Sequence, residues 1–381
     1  MKQILLARLL LGGVLVAALT GCTLWRGLKY LGPDVRDGDR FPARALTPAP
    51  SPDVLAKAER MLPLAGYPLR DSDDSISMRD YLAAVNTAGL LVVRGDSIVY
   101  EYYGEGYAEH EPVMAYSVTK SYIGTLVGIA VSEGLLAVAD PVREHLPELD
   151  PEHWDGVTVE HVLQMTTGNA FREDQHPLRE SARFYYGNKL RRRALRQTTD
   201  HAPGTTFRYK SGDTQLLTQI LEAAIAPRTV TDYLQEKLWD PMGAQYAGTF
   251  NTDERGERGI EKGSCCLNAT ATEHAKLGMI YRDGGTWRGE QVVPEAWVAK
   301  TYAVDSTAGA SPNYQYHWWL GGADSADGEP KLLAEGIINQ FIYVDRARDL
   351  VIVKQSDGYG VWNKWTFMQS VAARVEAAQQ Q

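Results

Sequence analysis

Apolar positions fall into a few patterned stretches, and these set the expected elements. Leu90–Val93 and Ile98–Tyr103 are apolar runs parted by Arg94-Gly95-Asp96, the pattern of a β-hairpin. A second such pair lies near the far end, Phe341–Val344 and Leu350–Lys354 around the polar stretch Asp345–Asp349. Between the hairpins the periods are mostly helical. Ser117–Ser132 carries Ile123, Leu126, Val127, Ile129, Ala130 and Val131, apolar nearly all round, so a buried helix is expected there. Thr214–Ala226, Val230–Leu238 and Thr270–Tyr281 read as further helices, and Trp365–Ala378 closes the chain. Hairpins from both ends around a helical middle imply an α/β chain of the α+β type. Its antiparallel sheet forms from N- and C-terminal strands flanked by helices, with an all-helical insertion lobe.

The first residues follow a different pattern. Lys2 and Arg8 precede an unbroken apolar run, Leu9–Leu19, too short for a spanning helix and suited to a signal-peptide core. It ends in Leu19-Thr20-Gly21-Cys22, which resembles a bacterial lipobox. Residues 1–21 are therefore expected to be a lipoprotein signal, with Cys22 lipidated as the mature N-terminus and the alternative an uncleaved anchor. Either way the protein is expected to be extracytoplasmic and tethered to a membrane; Thr23 after the cysteine points to the periplasmic side of an outer membrane. Residues 22–56 are rich in proline and read as a semi-extended spacer, leaving 57–381 as the folded domain.

Composition adds exclusions. The 381 residues have 44% apolar and 23% charged positions, which rules out a disordered chain, a collagen-like repeat or a polytopic membrane protein. The net charge of −9 becomes −11 once two cations leave with the signal, and it argues against nucleic acid as a partner. Three cysteines cannot frame a disulfide scaffold. Eight histidines form no metal-ligand cluster, so neither metal nor cofactor is expected.

The candidate chemistry lies at Ser117-Val118-Thr119-Lys120. Ser and Lys at i and i+3 share one helix face. A serine hydroxyl is a weak nucleophile until a base takes its proton, and a lysine kept neutral by burial can be that base. Ser-x-x-Lys alone is a weak signal; here it follows a hairpin and opens a buried helix.

With these residues the chain resembles the serine β-lactamase and penicillin-binding protein superfamily, in its class C β-lactamase-like branch, which includes carboxylesterases, D-amino-acid amidases and aminohexanoate-oligomer hydrolases. Further matches follow in order: Leu163-Gln164-Met165-Thr166-Thr167-Gly168, Pro203-Gly204-Thr205 through Tyr209 and Ser211, and Leu238-Trp239-Asp240-Pro241-Met242-Gly243. The resemblance implies a small-molecule amide or ester substrate attacked by Ser117, with Lys120 and Tyr209 sharing the proton traffic. It implies an oxyanion site between the Ser117 N–H and a strand near Gly336 and Ile337. Two departures matter. Ser211 stands where β-lactamases usually have Asn, so a shorter hydroxyl replaces one amide contact to substrate. Ala334-Glu335-Gly336 stands where Lys-Thr-Gly is usual, which removes the cation that meets a substrate carboxylate; Glu335, if it faces the site, would repel an anion. The alternatives are a non-catalytic penicillin-binding-like module recognising cell-wall fragments, or a true β-lactamase or DD-peptidase.

Other features have plainer expectations. Cys265-Cys266 has Cα atoms too close for most disulfides and reads as two small buried residues. Lys189-Leu190-Arg191-Arg192-Arg193 with Arg196 reads as a solvated helix face, contact with anionic lipid being the alternative. Phe184-Tyr185-Tyr186 reads as packing of the helical lobe, a mobile lid being the alternative, and Trp318-Trp319 as pocket wall or core.

Overall fold

The computed structural model describes residues 32–68, 75–174, 179–321, 328–361 and 363–380. The signal segment and Cys22 lie outside the described residues.

Along the chain come strand β1 (Ala43–Leu46), the hairpin β2 (Thr87–Arg94) and β3 (Ser97–Tyr103), and strand β4 (Val113–Met114). Helix α1 (Thr119–Ser132) follows, then short helices leading to α2 (Ser211–Ile225). Strands β5 (Gly248–Asn251) and β6 (Leu267–Ala269) precede α3 (Ala271–Arg282). The last third holds β7 (Trp318–Gly321), β8 (Lys331–Gly336), β9 (Gln340–Asp345), β10 (Leu350–Ser356) and α4 (Lys364–Gln379).

The two expected hairpins meet. β10 pairs antiparallel with β2, Lys354 opposite Leu90 and Val353 opposite Leu91, so strands from the two ends of the domain share the centre of one eight-stranded sheet. Its pairs are antiparallel except where Ala56–Lys57 runs parallel to β3. Both faces are covered, which explains why β2 reads as a continuous apolar run rather than an alternating one. Leu91, Val93, Val351 and Val353 pack with Leu126 and Val127 of α1 and Leu277 and Ile280 of α3. Leu90, Val92 and Ile352 pack on the other side with Phe367, Met368 and Val371 of α4.

Between β4 and β5 the described residues form helices and turns with two isolated bridges, the expected insertion lobe. Two boundaries differ from expectation. Helix α1 is preceded by a 3-10 turn at Tyr116–Val118, and the stretch expected as one helix over 230–238 passes into a π-helical turn at Gln235–Trp239.

The proline-rich stretch is corrected more deeply. Its described part, 32–56, is docked on the body rather than extended from it. β1 occupies the residues between Pro42 and Pro48 and pairs with β5, at the edge of a four-stranded sheet ordered β1-β5-β6-β4. Val35, Phe41, Leu46, Ala49 and Leu55 are buried. Proline excludes a central strand but permits an edge strand, where one side of the backbone needs no partner. Buried apolar side chains then supply the stabilisation.

Candidate active site

Ser117 sits in the 3-10 turn, presented by a strained neighbour. Tyr116 has φ 46°, a left-handed conformation that costs a residue with a Cβ about 1–3 kcal/mol. Its buried ring stacks on Tyr185 at 6.0 Å, and Phe41 meets Tyr185 edge-on at 5.4 Å. The aromatic cluster Phe184–Tyr186 is therefore packing, as expected. β6 clasps the turn from both sides: Ala115 N donates to Leu267 O at 2.8 Å, and Leu267 N donates to Thr119 Oγ1 at 3.1 Å.

Lys120 is 1% exposed. Its Nζ donates to Ser117 Oγ at 3.0 Å, Ser211 Oγ at 3.1 Å and Ser264 O at 2.6 Å. Burial pushes it down to about 8, and the negative charge of Glu173 limits the fall. Tyr209 is held by stacking on Trp319 (5.4 Å between centroids) and by the edge of Tyr314 (5.8 Å). Lys120 Nζ lies 5.2 Å from its ring centre. Burial and Glu173 raise the Tyr209 phenol well above the usual tyrosine value, and a hydrogen bond with Ser117 opposes the rise.

The loop Met165–Gly168 explains how Tyr209 arrives there. Arg208 N donates to Met165 O and Gly204 N to Thr166 O, tying the segment before the tyrosine to that loop. At Gly168, φ is +83° and a Cβ would lie 2.1 Å from His201 O, so glycine alone fits. Asp213, buried, accepts from Thr167 and Asn169 and locks the start of α2 to the same loop.

Ser117, Lys120, Tyr209 and Ser211 are thus one cluster. The Ser211 hydroxyl donates to Glu173 Oε1 at 2.9 Å besides accepting from Lys120, and Ser211 N donates to Glu173 Oε2 at 2.6 Å. A substrate acceptor at the Ser211 hydroxyl would have to displace Glu173, whereas a substrate N–H could still donate to its second lone pair. Glu173 is the group that sequence reading missed. It is a lone acid in a loop, and nothing in its spacing signals the site.

Gly336 ends β8 directly against the turn that carries Ser117. A Cβ there would lie 2.5 Å from Ala115 O and 3.1 Å from Tyr116 Cβ. Ile337 follows, 39% exposed at the same edge. Gly336→Ala is expected to push β8 off the turn and lower kcat/KM by about 100-fold. Ester turnover and a thermal melt check this, and wild-type rates would refute the close approach.

Glu335 is a correction. Alternation along β8 turns Ala334 and Gly336 toward the Ser117 side, and Glu335 points to the other face, where it pairs with Lys364 of α4. Lys364 also lies 5.1 Å from the Trp319 ring. The carboxylate at the site is Glu173.

Cys265 and Cys266 are the second correction: they form a vicinal disulfide. Both N–H groups donate to Lys262 O at 3.0 Å, a tight turn that brings the side chains together despite the 3.7 Å Cα separation. The ring lies between Ser264, which holds Lys120, and Leu267, which holds the turn carrying Ser117. The double substitution Cys265→Ser, Cys266→Ser is expected to lower kcat on the order of tenfold with little change in KM. Alkylation of both thiols without prior reduction would overturn the disulfide.

The Beta-lactamase family model matches residues 78–362. The chain is 31% identical over 291 residues to the 6-aminohexanoate-dimer hydrolase of Paenarthrobacter ureafaciens, covering 71% of this chain and 72% of that one. A Bacillus anthracis structure provisionally named a 6-aminohexanoate-dimer hydrolase superposes with a TM-score of 0.77 at 21% identity, covering 91% of this chain and 92% of the other. A family VIII carboxylesterase structure gives a TM-score of 0.62 at 15% identity, over 79% of this chain and 96% of that one.

Proposed function

The chain belongs to the Beta-lactamase family, and from that premise we propose that it is a serine hydrolase cleaving amides or esters through an acyl-enzyme. The observation that carries this reading is the buried Lys120, hydrogen-bonded to Ser117 Oγ at 3.0 Å and pushed down by burial to about 8. Lys120 accepts the Ser117 proton as the hydroxyl oxygen attacks the carbonyl carbon. Oxyanion charge develops toward the N–H groups of Ser117 and Ile337, where preorganised donors lower the barrier. Tyr209 stays a phenol at neutral pH and donates its proton to the leaving nitrogen or oxygen. The Tyr209 phenolate then takes a proton from the attacking water, and the Lys120 ammonium returns its proton to Ser117 Oγ as the acid departs.

A free, non-anionic acyl end is favoured. Ala334 stands where a β-lactam carboxylate would meet lysine, and Glu173 sets a negative charge beside Ser211. The similarity to the Paenarthrobacter ureafaciens 6-aminohexanoate-dimer hydrolase supports a linear amide as one substrate class.

The test is a screen of p-nitrophenyl esters, D-amino-acid amides, aminohexanoate dimer and ampicillin, with intact mass measured during turnover. A transient acyl adduct on the protein with an ester or amide is expected, and ampicillin turnover at least about 100-fold slower. No adduct and no turnover across the screen would favour a binding module, and efficient ampicillin hydrolysis would make the protein a true β-lactamase.

A further inference from the structure

Behind the segment carrying Tyr209, the helical lobe opens into a cavity of about 380 Å³, within the range of small-molecule sites. Arg183, Lys189, Arg192, Arg193 and Arg196 line it, against one acid, Glu180. This is the basic run expected as a solvated helix face, and the fold divides it. Arg191 leaves the group to pair with Glu222. The short helix Leu190–Ala194, entered through Lys189 at φ 59°, sets Arg192 and Arg193 along the cavity that Arg183 of the preceding helix also lines.

The charge there is uncompensated. Among the described residues, none of these five cations has a carboxylate within ion-pair distance, and the Arg193 side chain donates only to Asn188 O, at 3.0 Å. Burial and the neighbouring Arg183 both push Arg193 below the usual guanidinium value. In a chain of net charge −9, a concave cluster of like charge is unfavourable when empty, and a multivalent anion relieves it. Guanidinium forks match phosphate oxygens in pairs, whereas one monocarboxylate would leave most of the charge unanswered.

We propose that this cavity binds a phosphate-bearing anion, with the partly buried Arg193 at its base beside Arg183, and with Lys189, Arg192 and Arg196 exposed at its rim. The site shares no residue with the Ser117 cluster and does not depend on the hydrolase reading. It adjoins that cluster through its floor: Asn169 Nδ2 donates to Gln197 Oε1 at 2.7 Å and to Asp213 at 2.8 Å, and the Lys210 ammonium donates to Asn169 O. Occupancy therefore bears on the loop that seats Tyr209. The phosphate could belong to a soluble phosphoanion or to a phosphodiester headgroup at a membrane surface.

Calorimetric titration of the full chain with pyrophosphate at physiological salt tests the first source. Co-sedimentation with phosphatidylglycerol vesicles, measured against phosphatidylcholine vesicles, tests the second. Saturable binding in at least one arm is expected, weakened about tenfold or more by Arg183→Gln with Arg193→Gln. It should be unaffected by the charge-matched pair Arg60→Gln and Arg258→Gln. An unchanged thermal melt and ester turnover show that the first pair is folded. The proposal is overturned if neither probe binds wild type above its baseline. It is equally overturned if the Arg183/Arg193 variant binds like wild type, or if the charge-matched pair weakens binding as much.

Discussion

Ser117→Ala is expected to lower turnover of every substrate in the ester and amide screen by about four orders of magnitude or more, because it removes the oxygen that forms the acyl bond. The protein should remain folded. The change removes one oxygen from a partly exposed turn, and Lys120 keeps its hydrogen bonds to Ser211 Oγ and Ser264 O. Tyr116 keeps its burial and its stacking on Tyr185. Intact mass should show that the acyl adduct, and the adduct with a fluorophosphonate, both disappear. A variant that retains ester turnover within tenfold of wild type would remove Ser117 from the mechanism, with Ser211 the next hydroxyl on Lys120 to examine.

The second large effect is in the pH profile. Lys120 titrates at about 8, since burial disfavours its ammonium form. Only the neutral amine can take the Ser117 proton. kcat/KM is therefore expected to rise with pH up to about 8 and to fall tenfold per unit below it. The alkaline limb should lie above the ordinary tyrosine range, since Tyr209 must keep its proton and burial raises it. Glu173 raises Lys120 by favouring the ammonium, so Glu173→Gln should shift the acid limb to lower pH. A shift upward, or none, would show that Glu173 does not act on Lys120. Lys120→Met, close in volume and uncharged, should cost about 10²–10⁴-fold in kcat and abolish the acid limb.

Much of this site was legible because its parts lie close in the chain. Ser117 and Lys120 are three residues apart, and one turn of helix brings their side chains together whatever surrounds them. The Met165–Gly168 loop and the Tyr209 segment carry sharp glycine and threonine signatures, since a left-handed Gly168 against His201 O admits no other residue. Glu173 left no such mark. It reaches Ser211 across 38 residues of sequence, and a loop acid looks the same whether it faces water or a lysine.

Beyond the family resemblance that pointed to Tyr209, the sequence alone determined the two hairpins, the buried helix that follows Ser117, and the placing of Ser117 beside Lys120. All of these follow from local period, spacing and turn chemistry, which act over a few residues. Tertiary structure decided the rest. It docked residues 32–56 on the body with Ala43–Leu46 as an edge strand, because a free edge on β5 was there to receive it. It closed Cys265 to Cys266, because both amides bond to one carbonyl of a tight turn. It turned Glu335 away to Lys364, because the strand register sends alternate side chains to opposite faces. It gathered five cations around one cavity, because two helices that a linear reading treats as separate surfaces come to face each other. Each outcome depends on which distant backbone lies alongside, and only the assembled sheet and lobe supply that neighbour.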